Sequence, residues 1–199
     1  MKAFNRRQVL TSSAAALTVS TLLASDAEGE QTNVKAFLVR TGQAREGRPL
    51  VVHGDENAFC TKVRGADGNK RYSVIEVHTP PERGPLLHIH PSQNELFFVL
   101  HGSIGVQCGS ERTILNAGDA FMAPANIPHA FVTLGTEESR MLNVFDPPGD
   151  MERFFQALAS SLNASGPPDK NKLASVYANH GIEVVGPQLQ ASSFTVSKG

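Results

Sequence analysis

The sequence predicts an all-β protein, a jelly-roll β-barrel with two α-helices at its C-terminal end. Three observations carry that expectation. About ten short apolar or alternating runs lie between Lys35 and Phe145, separated by glycine and proline turns without interleaved helical patterns. Seventeen glycines and twelve prolines with no tryptophan suit a turn-rich chain. Apolar residues at helical spacing appear only beyond Asp150. The 199 residues suffice for one domain with a sizeable core, and a formal net charge of −1 gives no electrostatic basis for binding nucleic acid or acidic membranes.

Residues 1–30 read as an address. Lys2, Arg6 and Arg7 precede a short, uncharged run of small and apolar residues over 9–24, too short and too weakly apolar for a secure membrane span. The pair Arg6-Arg7 followed by Gln8-Val9-Leu10 resembles a twin-arginine signal, which implies export of an already folded protein to the periplasm or beyond. Cleavage is expected after Ala27, and a cytoplasmic protein with a basic tail is the alternative. The mature chain is then expected as a barrel over 31–146 and a helical extension over 147–199 packed on it, with no membrane span.

Within the barrel, strands are expected at 35–40, 50–53, 59–64, 71–78, 95–100, 103–108, 113–115, 120–123, 129–134 and 140–145. Gly65-Ala66-Asp67-Gly68 predicts a hairpin loop, and the proline-rich 80–85 a rigid link into a further strand carrying His88 and His90. Asp150 is a good N-cap for a helix with Met151, Phe154, Phe155 and Leu158 on one face. A second helix is expected over 169–179, with Leu173, Val176 and Tyr177 on one face, after the linker Gly166-Pro167-Pro168. Cys60 and Cys108 sit in strand-like runs with nothing local that requires a bridge, so buried thiols are expected. His53, His78, His101 and His180 read as turn, core or surface residues, and Glu76 as lying on an exposed face.

The stretch 84–102, GPLLHIHPSQNELFFVLHG, carries the chemistry. Alternation along a strand puts His88 and His90 on one face, and Glu95 opens the next apolar run with Phe97 and Val99 on its own side. Two imidazoles and a carboxylate aimed into an apolar interior are costly unless paired, and a divalent cation satisfies all three. A second hairpin, from Gly118 through Pro124, Asn126 and Pro128, returns His129 to the interior with Phe131 and Thr133 on its face.

The pattern His88-x-His90-x4-Glu95-x6-Gly102 resembles the first cupin motif, and Gly118-x5-Pro124-x-Asn126-x2-His129 the second. The spacer of fifteen residues between the motifs is similar to that of small single-domain cupins. Asn126 stands where glycine is usual and Thr133 where asparagine is usual, and neither is a presumed ligand. Segments near 71–76, 146–155 and 181–187 resemble the small cupins described as quercetin dioxygenase-like. The resemblance implies a cupin barrel, one divalent transition metal held by His88, His90, Glu95 and His129, and a homodimer through sheet edges. It also implies that Glu95 doubles as a base.

Three imidazoles and one carboxylate leave two positions open on a six-coordinate ion, and Fe, Mn, Ni, Cu and Zn all accept such ligands. Phe97, Val99, Phe131 and one of Phe121 or Met122 are candidates to line the surrounding pocket, with Thr133 as a polar contact. That lining suits a small aromatic or enolisable substrate. The expected function is a metal-dependent dioxygenase that takes a small molecule and dioxygen. A non-catalytic binding or sensing module, and a metal-dependent isomerase, decarboxylase or lyase, stay open as alternatives.

Overall fold

The computed structural model describes residues 34–164 and 169–194. The expected leader over 1–30, its cleavage site and the linker Gly166-Pro167-Pro168 lie outside them. In chain order the elements are β1 (Leu50–Val52), β2 (Asp55–Val63), β3 (Ser73–Thr79), β4 (Leu86–Ile89), β5 (Asn94–His101), β6 (Ser103–Cys108) and β7 (Glu111–Asn116). There follow β8 (Ala120–Ala123), β9 (His129–Leu134), β10 (Ser139–Asp146), α1 (Met151–Leu162), α2 (Lys170–Asn179), β11 (Glu183–Gln188) and a 3-10 turn (Ala191–Ser193).

The strands form two antiparallel sheets, ordered β1-β2-β3-β10-β5-β8 and β11-β4-β9-β6-β7. The chain is therefore a jelly-roll sandwich and not the closed barrel expected, because among the described residues no ladder joins the edge of one sheet to the other. Alternation decides what lies between the layers. Ile75, Val77, Phe97, Val99, Met141 and Phe145 face inward from the first sheet; Ile104, Val106 and Phe131 meet them from the second. α1 adds Met151, Phe154, Phe155 and Ala159 to this core, with Phe155 against Phe59 at 4.8 Å between ring centroids. The Asp169 side chain caps α2 by accepting from the Asn171 and Lys172 amides, and α2 contributes buried Tyr177.

Three expectations change. Residues 35–40 form no strand: Leu38 is exposed, and the segment is tied to the sheet through the Lys62 ammonium, which donates to the Arg40 and Gln43 carbonyls. Glu76 is buried and not exposed, because the same Lys62 approaches its carboxylate at 2.8 Å and His78 Nε2 at 3.0 Å. These bonds hold the Glu76 carboxyl below the usual range even though burial, the largest single influence, works the other way. β11, within the segment read as helical, pairs with β4 and so extends the sheet that carries the histidines. No bridge joins Cys60 and Cys108. Among the described residues no helix is long and apolar enough to cross a membrane.

Two glycines fix how the sheets meet. Gly102 turns the chain from β5 to β6 at φ +71°, a left-handed conformation that side chains disfavour. Gly84 lets the link before β4 press against the β9 backbone, where a Cβ would strike the Phe131 carbonyl. Paired bonds from Glu82 N–H to Thr133 O (3.1 Å) and from Thr133 N–H to Arg83 O (2.9 Å) hold that approach. Gly84→Ala is therefore expected to lower stability by about 2–4 kcal/mol, in the range of other overpacked or strained positions. Thermal or urea unfolding measures it, and a midpoint equal to the parent chain contradicts the account.

Candidate metal centre

β4 and its continuation place His88 and His90 on one face of the second sheet, as the two-residue period requires. His129 opens β9 and lies directly opposite His88 in the ladder. Asn126, at φ +63°, takes the left-handed conformation that the turn before β9 needs. Glu95 enters from β5 of the facing sheet, where Ala123 of β8 and Phe145 of β10 flank it. The four side chains are nearly fully buried, the most exposed at 5 %. One ligand-type atom from each lies within 4.8 Å of all the others.

The hydrogen bonds around the cluster orient it. His88 Nδ1–H donates to the Leu86 carbonyl at 2.7 Å, and His129 Nδ1–H to the Ile127 carbonyl at 2.8 Å, so both rings turn Nε2 inward. There the nitrogens of His88 and His90 are 3.2 Å apart. Glu95 Oε2 sits 3.1 Å from His129 Nε2, 3.3 Å from His90 Nε2 and 4.0 Å from His88 Nε2. A proton relieves one of these contacts between acceptors; a cation at the centre relieves all of them. The donor set, three imidazole nitrogens and one carboxylate oxygen, fits a divalent transition ion.

The ionisation of the cluster points the same way. Burial pushes His88 down to about 3, assisted by the charge on His129. Burial opposes a charge on Glu95 as well, but the hydrogen bonds from His129 and His90 outweigh it and hold the carboxyl well below its ordinary range. For His129, burial acts against protonation, and the Glu95 bond more than offsets it. The site therefore keeps a carboxylate anionic inside the core, with His129 supplying only part of the positive charge beside it.

Of the residues expected to line a pocket, Phe97 and Phe131 stand beside the ligands, with Phe97 6.2 Å from the His129 ring and 5.8 Å from Phe131. Phe121 faces inward and packs on the core, whereas Met122 is 50 % exposed on the outer face. Val99 and Thr133 share the ligands' face but lie four residues further along their strands, about 13 Å away. Thr133 is not a polar contact for a ligand: its hydroxyl is bonded to the Thr79 carbonyl and shared with Ser139. His101 stays outside, 3.7 Å from Glu137 and partly exposed.

Two neighbours went unread in the sequence. Tyr177 of α2 packs edge-on to His88 at 5.6 Å, and the Leu86 backbone hydrogen-bonds its hydroxyl. Asn143 of β10 donates to Glu95 Oε1 at 2.6 Å. Asn143 had a legible signal, being a polar residue between Met141 and Phe145 on the inward face of an apolar strand; Tyr177 had none beyond helical spacing. A second group, Asp55, His78 and Glu138, also brings ligand-type atoms within 4.8 Å. Its Glu138 is exposed, and its histidine is already held by Glu76.

The cluster makes a direct prediction. Metal analysis of the purified chain is expected to show one equivalent of a divalent ion, lost in His129→Ala and retained in His101→Ala. Removing the ion with a chelator is expected to lower the thermal midpoint of the parent chain, since binding to the folded state alone stabilises it. Equal metal content in both variants sinks the assignment of ligands.

Comparison with known proteins agrees with this geometry. Residues 75–145, which hold all four candidate ligands, match the family described as the cupin domain. No curated protein matches the chain. Among solved structures, a protein of Thermus thermophilus is similar at 25 % identity over 40 % of this chain and 75 % of its own, with a TM-score of 0.39. KdgF from a Halomonas species is similar at 22 % over 51 % of this chain and 92 % of its own, with a TM-score of 0.43. A conserved protein of Klebsiella pneumoniae with a double-stranded β-helix domain is similar at 19 % over 57 % and 90 %, with a TM-score of 0.42. These overall scores are low, and the assignment rests on the domain match and on the residues themselves. Residues 75–145 of the chain are thus a cupin domain.

Proposed function

We propose that the protein is a metal-dependent dioxygenase acting on a small aromatic or enolisable substrate. The observation that carries the reading is the convergence of three imidazole nitrogens and one carboxylate oxygen in an apolar interior. A divalent transition ion held by His88, His90, Glu95 and His129 supplies Lewis acidity toward a substrate oxygen and, if redox-active, electrons for oxygen chemistry.

The chain's own residues do the rest. Phe97, Phe131 and Phe145 surround the cluster with ring faces and edges, which favours a flat apolar substrate and excludes water from a reactive carbanion. Glu95, which would also hold the ion through Oε2, takes the proton from the substrate hydroxyl or from the carbon beside its carbonyl by partial detachment of that oxygen. Its anionic state inside the core is secured by the surrounding imidazoles, as the depressed carboxyl range requires.

One observation favours a second reading. Each of the four residues is at most 5 % exposed, and Tyr177 covers the His88 side of the cluster. A closed centre of that kind suits a module that holds its metal structurally while binding or sensing a small molecule.

Oxygen uptake separates the two. Metal-loaded protein presented with flavonols and other enolisable aromatics is expected to consume oxygen. Glu95→Gln is expected to lower turnover by about 100-fold or more, the usual contribution of a positioned base. No uptake with any such substrate, in an assay where a known quercetinase responds, leaves the binding module as the better account; turnover without oxygen points to isomerase or lyase chemistry.

A further inference from the structure

We propose that Asn143 is a positioning residue that holds Glu95 as a one-oxygen ligand and so preserves the second open place at the metal. The inference rests on the reading of the four-residue cluster as a metal centre. Along β10 the inward positions include Met141, Asn143 and Phe145, all at most 3 % exposed. An amide among them costs free energy that a leucine of similar volume does not, so its place in the core calls for a partner.

That partner is Glu95. Asn143 Nδ2 donates to Oε1 at 2.6 Å, while Oε2 faces the imidazoles of His129 and His90 at 3.1 and 3.3 Å. The chemistry fixes the amide's orientation, since a flipped side chain sets its carbonyl oxygen against a carboxylate oxygen. With Oε1 engaged, the carboxylate offers one oxygen to the centre. Oε1 keeps a second lone pair, but bringing it to the centre as well means turning the carboxylate away from the orientation that the 2.6 Å bond holds, with Oε2 toward the imidazoles. Three nitrogens and one oxygen leave two positions on a six-coordinate ion, whereas three nitrogens and two oxygens leave one.

A second observation concerns the other end of the same amide. Asn143 Oδ1 is buried and has no hydrogen-bond partner among the described residues. An unpartnered acceptor in the core carries a cost of its own, so the amide's place on β10 is accounted for by the bond that its nitrogen makes to Glu95.

The test uses Mn(II)-loaded full-length protein, and counts exchangeable waters on the ion by water-proton relaxation. The parent chain is expected to show two. Asn143→Leu, close in volume, and Asn143→Val, smaller and also without a donor, are each expected to show one, because Glu95 is released to bind through both oxygens. Thermal midpoints identify a variant that fails to fold, and either variant alone then decides. A parent chain that binds no Mn(II) overturns the metal reading beneath the inference. A parent that binds with two waters, and folded variants that also show two, overturn the inference alone.

Discussion

Everything near the centre of this protein follows from one electrostatic constraint: three ring nitrogens and a carboxylate oxygen are packed together where water does not reach. Taking such groups out of water costs several kcal/mol for each charged member, after all relaxation is allowed. Ring rotation offers no escape, because the Leu86 and Ile127 carbonyls hold two of the Nδ1–H groups and turn the lone pairs of Nε2 toward Glu95. The fold has therefore committed its hydrogen-bonding capacity outward and left a deficit of positive charge inward. A proton shared between His129 and Glu95 covers part of it. A divalent ion covers it with one particle, which is why a site with this arrangement reads as a metal centre and not as a chance pairing of buried histidines.

The same constraint explains how much the sequence revealed. Two-residue periodicity is a property of the backbone itself, so the common face of His88 and His90, and the return of His129, were legible without coordinates. Depth along a strand was not. Val99 and Thr133 have the correct face, but each further pair of residues carries a side chain about 7 Å from the ligands. Met122 and Phe121 were indistinguishable in sequence because the register of β8 against β5, which sets Phe121 opposite Phe97, is a tertiary fact. β11 went unread for a similar reason. Its Glu-Val-Val-Gly-Pro-Gln has weak alternation and a proline, as an edge strand tolerates, and only its partner β4 makes it a strand.

The outer faces of both sheets are covered as well as the inner ones. Ala130 and Val132 of β9 are fully buried although they point away from the core, and a Cβ at Gly105 of β6 would meet the ring of Phe194. On the first sheet, the Lys62, Glu76 and His78 cluster lies beneath the segment before β1. Sequence reading assigns a charged residue on the outer parity of a strand to solvent, and it fails when a third layer of chain passes over it. Glu76 is the instance: its partner Lys62 sits fourteen residues away on the neighbouring strand, and neither residue announces the pairing.

The C-terminal elements do more than cover a flank. β11 hydrogen-bonds β4 along Glu183 to Ile89 and Val184 to His88, so one edge of the histidine strand is supported from outside the matched domain. α2 reaches the same strand from the side. The Tyr177 hydroxyl is hydrogen-bonded by the Leu86 backbone, and the Leu86 carbonyl in turn takes the His88 Nδ1–H. One residue of backbone thus lies against both a side chain of α2 and a candidate ligand. His180 at the end of α2 is bonded to Asp150 at the start of α1 at 2.7 Å, which ties the two helices together at the ends nearest each other in this network. Tyr177 also packs edge-on against His88, so that side of the centre is covered by α2. The four candidate ligands reside in residues 75–145, while part of what packs around them comes from the residues that follow.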